Sequence, residues 1–367
     1  WTSDAESLPL TYSFATVDPD IPSIRSQLAT TLNQAVVTEL PPGDASDAMR
    51  LGIHLTVSDV WGSSTVRRET ALVAASTDDT SVLHAMLTSR LSAALSEGDD
   101  AALSKILSAF GPLLNSVQGA CSGVTSVTGA SAACRSLLTE RKAIRANLLT
   151  VQMALLRRSV ATESSLEQAG VILKGLTQKP LEMDAGGVRA AAAAAAQACP
   201  RTNYQALSSA KSSGLRPAAF PTTLAVTMNQ LLQAVSAGAG SPSSRRLLAA
   251  GITPLDSEAR DLTREVLAGV AAVSSQSVAG AADGEDATEL DGGGFFMLTA
   301  RVATTGFTET SLETPGGAFA IFPPTLFKPA ALQGSAPLPA SAEIMLIQWV
   351  ASANPAGGAL GPIVTAQ

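Results

Sequence analysis

Five side chains carry most of the soft-ligand and nucleophile chemistry available to this sequence: His54, His84, Cys121, Cys134 and Cys199. Two histidines and three cysteines supply neither the paired spacing of a zinc site nor a Cys/His dyad. His54 lies mid-strand on the polar side of an alternating run, and His84 lies within a helical stripe, so both read as surface residues. The acidic groups Asp78-Asp79, Asp99-Asp100, Asp283 to Asp286 and Glu289-Asp291 lack EF-hand spacing. The first two pairs are placed where helix starts favour carboxylates, and Asp283-Gly284-Glu285-Asp286 reads as a solvated loop. No Gly-rich phosphate loop follows a strand. The expectation is a chain with no catalytic, cofactor-binding or metal-binding residues.

Cys121 and Cys134 flank a Gly/Ser/Thr loop of 12 residues between two helices. Two readings are open, a disulfide across the loop or two buried thiols. The disulfide is favoured because it would order a small, polar loop. A bridge of that span contributes about 3 kcal/mol by restricting the unfolded chain. Cys199, before Pro200, is then the odd cysteine, either a buried thiol or paired outside the segment. The dibasic pairs Arg157-Arg158 and Arg245-Arg246 read as surface charge.

The elements that must position these residues follow from periodicity. Over residues 1–78 the pattern alternates: Leu8, Leu10, Tyr12 and Phe14 share one face, and Leu51, Ile53, Leu55 and Val57 another. Ser58-Asp59-Val60-Trp61-Gly62-Ser63 turns the second run into a further strand from Thr65 to Ala75, which makes a hairpin. Between them Ile24, Leu28 and Leu32 fit either a short helix or a connecting strand.

From 79 to 285 the period is helical. Leu83, Leu87, Leu91 and Leu95 form one stripe capped by Asp79 or Thr80, and Leu103 to Val117 form a second with a kink at Gly111-Pro112. The longest helix spans about 131–161, with Leu137, Ile144, Leu148, Val151 and Leu155 inward and Arg135, Arg141, Lys142 and Arg145 solvated. Further helices are expected at 166–176, 185–198, 223–235 and 256–279. The Ala190 to Ala196 run has high helix propensity and little to bury, so close helix contact and a solvated linker are both open. Gly238 to Ser244 and Ala279 to Gly294 read as loops. Over 286–367 strands return at Phe295 to Ala303, Ala318 to Phe322 and Glu343 to Val350, the last apolar on both faces and so central in a sandwich, with Pro323-Pro324 and Asn354-Pro355 as terminators.

The composition narrows the function classes. Of the 367 residues 46% are hydrophobic, 15% charged and 4% aromatic, and 24 Lys+Arg stand against 31 Asp+Glu for a formal charge of -7. There is no basic field for phosphates, so nucleic acid is not an expected partner. The longest strongly apolar stretch, Ile344 to Ala353, falls short of the roughly 20 residues of a membrane helix. The start Trp1-Thr2-Ser3-Asp4 reads as a piece of a longer polypeptide, and no N-x-Ser/Thr sequon is present.

Trp1 with Leu8-Pro9-Leu10-Thr11-Tyr12-Ser13-Phe14, followed by Leu55-Thr56-Val57-Ser58-Asp59-Val60-Trp61-Gly62-Ser63, resembles the last fibronectin-like repeat of the receptor-for-egg-jelly (REJ) region of polycystin-1-like proteins. Leu95-Ser96-Glu97-Gly98-Asp99 and Leu113-Leu114-Asn115-Ser116 are similar to the helical half of that ectodomain. Ile347-Gln348-Trp349 with Asn354-Pro355 resembles the β half of the GPCR-autoproteolysis-inducing (GAIN) fold.

The resemblance implies an α+β chain in three parts. These are a fibronectin/Ig-like β part at 1–78, an all-helical GAIN-A-like domain at 79–285 and a GAIN-B-like β-sandwich part at 286–367. It also implies an extracellular setting, which permits the Cys121–Cys134 bond, on the outer face of the plasma membrane at a cilium or flagellum. The Ala/Ser/Gly-rich composition suits a GC-rich unicellular alga.

His54-Leu55-Thr56 copies the tripeptide at which GAIN domains cut themselves. Its mid-strand position without flanking cysteines argues against cleavage. The function implied is a non-catalytic ectodomain segment that mediates adhesion, ligand contact or force transmission. Its partners would be other chains or other domains of the same polypeptide, including a polycystin-type channel. The alternative is a structural subunit of an extracellular, mastigoneme-like flagellar filament.

Overall fold

The structure is a computed structural model that describes residues 8–18, 25–36, 38, 40–44, 47–74, 80–116, 121, 130–158, 163–199, 219–237, 257–278, 281–305, 307, 309–315, 317, 319–322 and 340–349. Trp1, Asp78-Asp79, Gly238 to Ser244, Arg245-Arg246, Pro323-Pro324 and Asn354-Pro355 lie outside these residues. The chain is mixed α+β and divides into two compact units, Trp1–Glu182 and Met183–Gln367. Each unit combines helices with antiparallel strands. The described helices run from Thr80 to Ser277, after a strand ending at Leu72 and before one starting at Thr288.

In the first unit β1 (Thr11–Val17), β2 (Arg25–Thr31), β3 (Arg50–Ser58) and β4 (Ser64–Leu72) form one antiparallel sheet in the order β2-β1-β3-β4. The β3–β4 hairpin closes where Asp59 Oδ1 accepts from the Trp61 and Ser63 amides at 2.9 Å each and Gly62 takes φ +86, conformationally cheap only for glycine. Of the Ile24-Leu28-Leu32 segment, Ile24 lies outside the described residues, Leu28 sits in strand β2 and Leu32 just follows it. A register shift between Phe14 and Ala15 leaves Leu28 of β2 without a pairing partner on β1.

Four helices complete the unit: α1 (Thr80–Glu97), α2 (Asp100–Ser116), α3 (Ala132–Arg158) and α4 (Glu163–Thr177). Leu83, Leu87 and Leu91 of α1 are buried as the stripe requires, whereas Leu95 is exposed and Ala94 takes the inward place. α2 continues through Pro112, and its Gly111 lets α2 meet α4 closely: a Cβ there would lie 3.3 Å from the Gly175 carbonyl carbon. The sheet meets α4 through the face that carries Tyr12, Phe14 and Thr16. Ser26 and Asp18, on that side, are held by Gln168 and Lys174 of α4, the lysine reaching Asp18 Oδ2 at 2.6 Å. The described N-terminal strands thus form one four-stranded antiparallel sheet against a helix.

In the second unit α5 (Ala185–Ala198), α6 (Ala219–Ser236) and α7 (Ser257–Ser277) pack together. Ala191, Ala192, Ala194, Ala195 and Ala198 are buried, so the alanine run is a close-contact helix face and not a solvated linker. Asp184 caps α5, accepting from the Gly187 amide at 2.6 Å.

Strands β5 (Thr288–Asp291), β6 (Phe295–Ala303) and β9 (Ser341–Trp349) form one sheet with β6 in the middle, and β7 (Thr310–Glu313) pairs with β8 (Phe319–Phe322). Leu298, Ala300 and Val302 of β6, with Ala342, Ile344 and Leu346 of β9, pack on Leu312, Ala320 and Phe322 of the hairpin. On the opposite face of β6, Thr299 shares a buried 2.7 Å hydrogen bond with Ser274 of α7. β9 is apolar on both faces because its sheet lies between helix and hairpin layers. Within that sheet it is an edge strand among the described residues, where the sequence reading had made it central.

Candidate functional site: a buried arginine–glutamate clamp beside a disulfide

Arg141 and Arg145 stand four residues apart on α3, hence on one face of the helix. That face is buried. The reading of both as solvated is corrected: Arg145 is 0% and Arg141 4% exposed, while Arg135 is exposed and Lys142 half-buried as expected of surface cations. The missing counter-charge comes from Glu182, at the end of the 3-10 turn Pro180–Glu182. Arg141 Nη1 donates to Glu182 Oε1 at 2.8 Å, and Arg145 donates to Oε2 from Nε at 2.9 Å and from Nη2 at 2.6 Å.

Arg145 has further acceptors around it. Arg145 Nη1 donates to the Leu176 carbonyl at 2.9 Å, in the last turn of α4, where orphan carbonyls gather negative potential. Arg145 Nη2 also donates to Asn115 Oδ1 at 2.7 Å, and Asn115 Nδ2 donates to the Gly175 carbonyl at 2.9 Å. One guanidinium therefore ties the ends of α2 and α4 and the 3-10 turn to α3. Burial pulls Arg145 below its ordinary value, an effect that the Glu182 carboxylate opposes. The sequence signal that existed was the i, i+4 Arg pair interleaved with Leu138, Ile144 and Leu148. Glu182 lies 37 residues from Arg145, and no local pattern joins them.

Cys121 and Cys134 are disulfide-bonded, with Cα atoms 5.0 Å apart. The bond packs with Ala130 and Leu138 and with Leu181, the residue before Glu182, so the disulfide and the clamp brace the same turn. Cys199 forms no disulfide. It is buried at the end of α5, and burial pushes its thiol up to about 12, which leaves no thiolate at neutral pH.

The remaining chemistry-bearing residues are dispersed. His54 sits on β3 opposite Ala15 of β1 and Arg68 of β4, half-buried, with no hydrogen-bond partner for Nδ1. Its pKa is lowered, first by burial and then by Arg25 and Arg68. His84 Nδ1 lies 3.7 Å from Glu140. Asp99 caps α2, accepting from the Ala102 amide at 2.9 Å, and Asp100 pairs with Arg158 at 2.9 Å. Asp283 accepts from Arg301 at 3.3 Å and from Ser341 at 2.8 Å, and Asp291 accepts from the Gly293 amide at 2.7 Å, so both carboxylates answer protein donors.

Among the described residues no group of three His, Cys, Asp or Glu side chains is placed to hold a metal, and no helix is long and apolar enough to cross a membrane. The clamp joins α2, α3, α4 and the 3-10 turn through one guanidinium and one carboxylate. No protein-family model and no curated protein matches the chain.

Proposed function

We propose that the chain is a non-catalytic segment of an extracellular ectodomain, of the polycystin-1-like kind, that transmits adhesion or force to a membrane partner at a ciliary or flagellar surface. The observation that carries the reading is the Cys121–Cys134 bond, since structural disulfides persist in oxidising compartments and are rare in reducing ones. The clamp supports the mechanical side of it. Glu182 is the last residue of the first unit, and Asp184 caps the first helix of the second. Tension passing along the chain therefore meets the first unit at a carboxylate held by two buried guanidinium groups, beside a covalent cross-link.

Antibodies raised against the folded chain test the reading on intact cells of the source organism. Labelling without permeabilisation, removed by external protease, is the expected result. Labelling seen only after permeabilisation overturns the extracellular assignment.

A further inference from the structure

Strand β4 is the edge of its sheet among the described residues, and every residue from Ser64 to Thr70 is exposed. Such an edge offers unpaired backbone donors and acceptors to an added strand. Its side chains give the added strand a code. Val66, Arg68, Thr70 and Leu72 share the face of His54, because Thr56 pairs with Val66, His54 with Arg68, Gly52 with Thr70 and Arg50 with Leu72. Val66 is 41% and Leu72 76% exposed.

The strand residues on this face include no acid. Its cations are Arg25, Arg50 and Arg68; Arg50 lies 3.6 Å from Asp47, and Arg25 and Arg68 both act on His54 from the same side. On the opposite face Arg67 is already answered by Glu69 at 2.8 Å.

We infer that the β4 edge receives an extended, acidic peptide segment of a partner protein, which adds as a fifth strand and sets a carboxylate opposite Arg68, with apolar side chains opposite Val66 and Leu72. A second copy of this chain would bring no acid to the face that carries Arg68. An antiparallel twofold pairing that keeps the sheet faces sets one residue against itself at the axis; centred on Arg68 it opposes Arg68 to Arg68 on this face, with Arg67 opposite Glu69 on the other, and a concentration-dependent dimer of the peptide-free chain would overturn the choice of a partner peptide. The inference does not depend on where the chain resides.

The test uses the full chain and a capped nine-residue threonine peptide with valine at positions two and eight and aspartate at four, together with its reversed-sequence counterpart. Binding is read by fluorescence anisotropy and by hydrogen exchange. One of the two orientations should bind saturably and protect amides confined to β4. Replacing the aspartate by lysine should weaken binding roughly tenfold, the scale of one charge-assisted hydrogen bond. Arg68→Gln should remove the preference, Arg68→Glu should reverse it, and Arg67→Gln should leave it intact. Absence of β4 protection, equal binding of the lysine peptide, or an Arg67→Gln loss as large as that of Arg68→Gln overturns the inference.

Discussion

Glu182→Gln keeps the volume of the clamp's centre and removes its charge. In the native protein the carboxylate accepts three charge-assisted hydrogen bonds, of 2.8, 2.9 and 2.6 Å, from two arginines with almost no solvent access. Each such bond is worth about 1.5–3 kcal/mol net. The sum overstates the loss, because the glutamine carbonyl still accepts one donor and Arg145 keeps the Leu176 carbonyl and Asn115. The variant takes from both buried guanidinium groups the carboxylate they share, and removing one partner of a buried ion pair costs about 3–5 kcal/mol. Native-state hydrogen exchange of α3 peptides reads the first unit separately from the second. The expected outcome is exchange faster by roughly two to four orders of magnitude. The combined Arg141→Met, Arg145→Met, Glu182→Leu variant should recover most of the loss, because an apolar replacement of a whole buried network carries no stranded charge. Exchange in Glu182→Gln within tenfold of the native rate would refute the reasoning.

Further outcomes follow from the same structure. Reduction of Cys121–Cys134, which closes a loop of sequence separation 13, should lower the stability of the first unit by about 3 kcal/mol, read from urea midpoints with and without reductant. His54 should titrate below its ordinary 6.5 by proton NMR, since burial and then Arg25 and Arg68 disfavour its charge. The unfolded chain then takes up the proton first, so the His54 contribution is intact above 6.5 and is lost as pH falls toward the lowered value; His54→Gln should flatten that part of the stability–pH curve. Gly294→Ala places a Cβ 2.1 Å from Asn229 Oδ1 and should destabilise the second unit by about 1–3 kcal/mol in thermal or urea melts, with Asn229→Ser in the same chain restoring part of it.

Periodicity and turn chemistry made much of this fold legible. The β3–β4 hairpin was visible because Asp59 and Gly62 are the residues such a turn demands, and the helices because their leucines repeat at three and four. The Cys121–Cys134 pair was visible from its spacing around a loop. Other features depend on distant partners. Arg141 and Arg145 look solvated until Glu182 arrives from another turn, and no local pattern joins Lys174 to Asp18, 156 residues away. Leucines and isoleucine at a spacing of four suit a helix face and a strand face alike, so periodicity alone left the segment around Leu28 open between the two. The alanine helix could not be placed from sequence because side chains that small record contact only through their neighbours: α5 lies against α6 and α7.

Three sulfurs give the most direct test of an extracellular, disulfide-braced chain. Protein purified from its source without reductant, alkylated in the folded state, digested and mapped by mass spectrometry should yield one linked peptide pair joining Cys121 to Cys134, with Cys199 alkylated only after unfolding. Free, alkylated Cys121 and Cys134 in the native protein would contradict both the bond and the extracellular setting proposed for the chain.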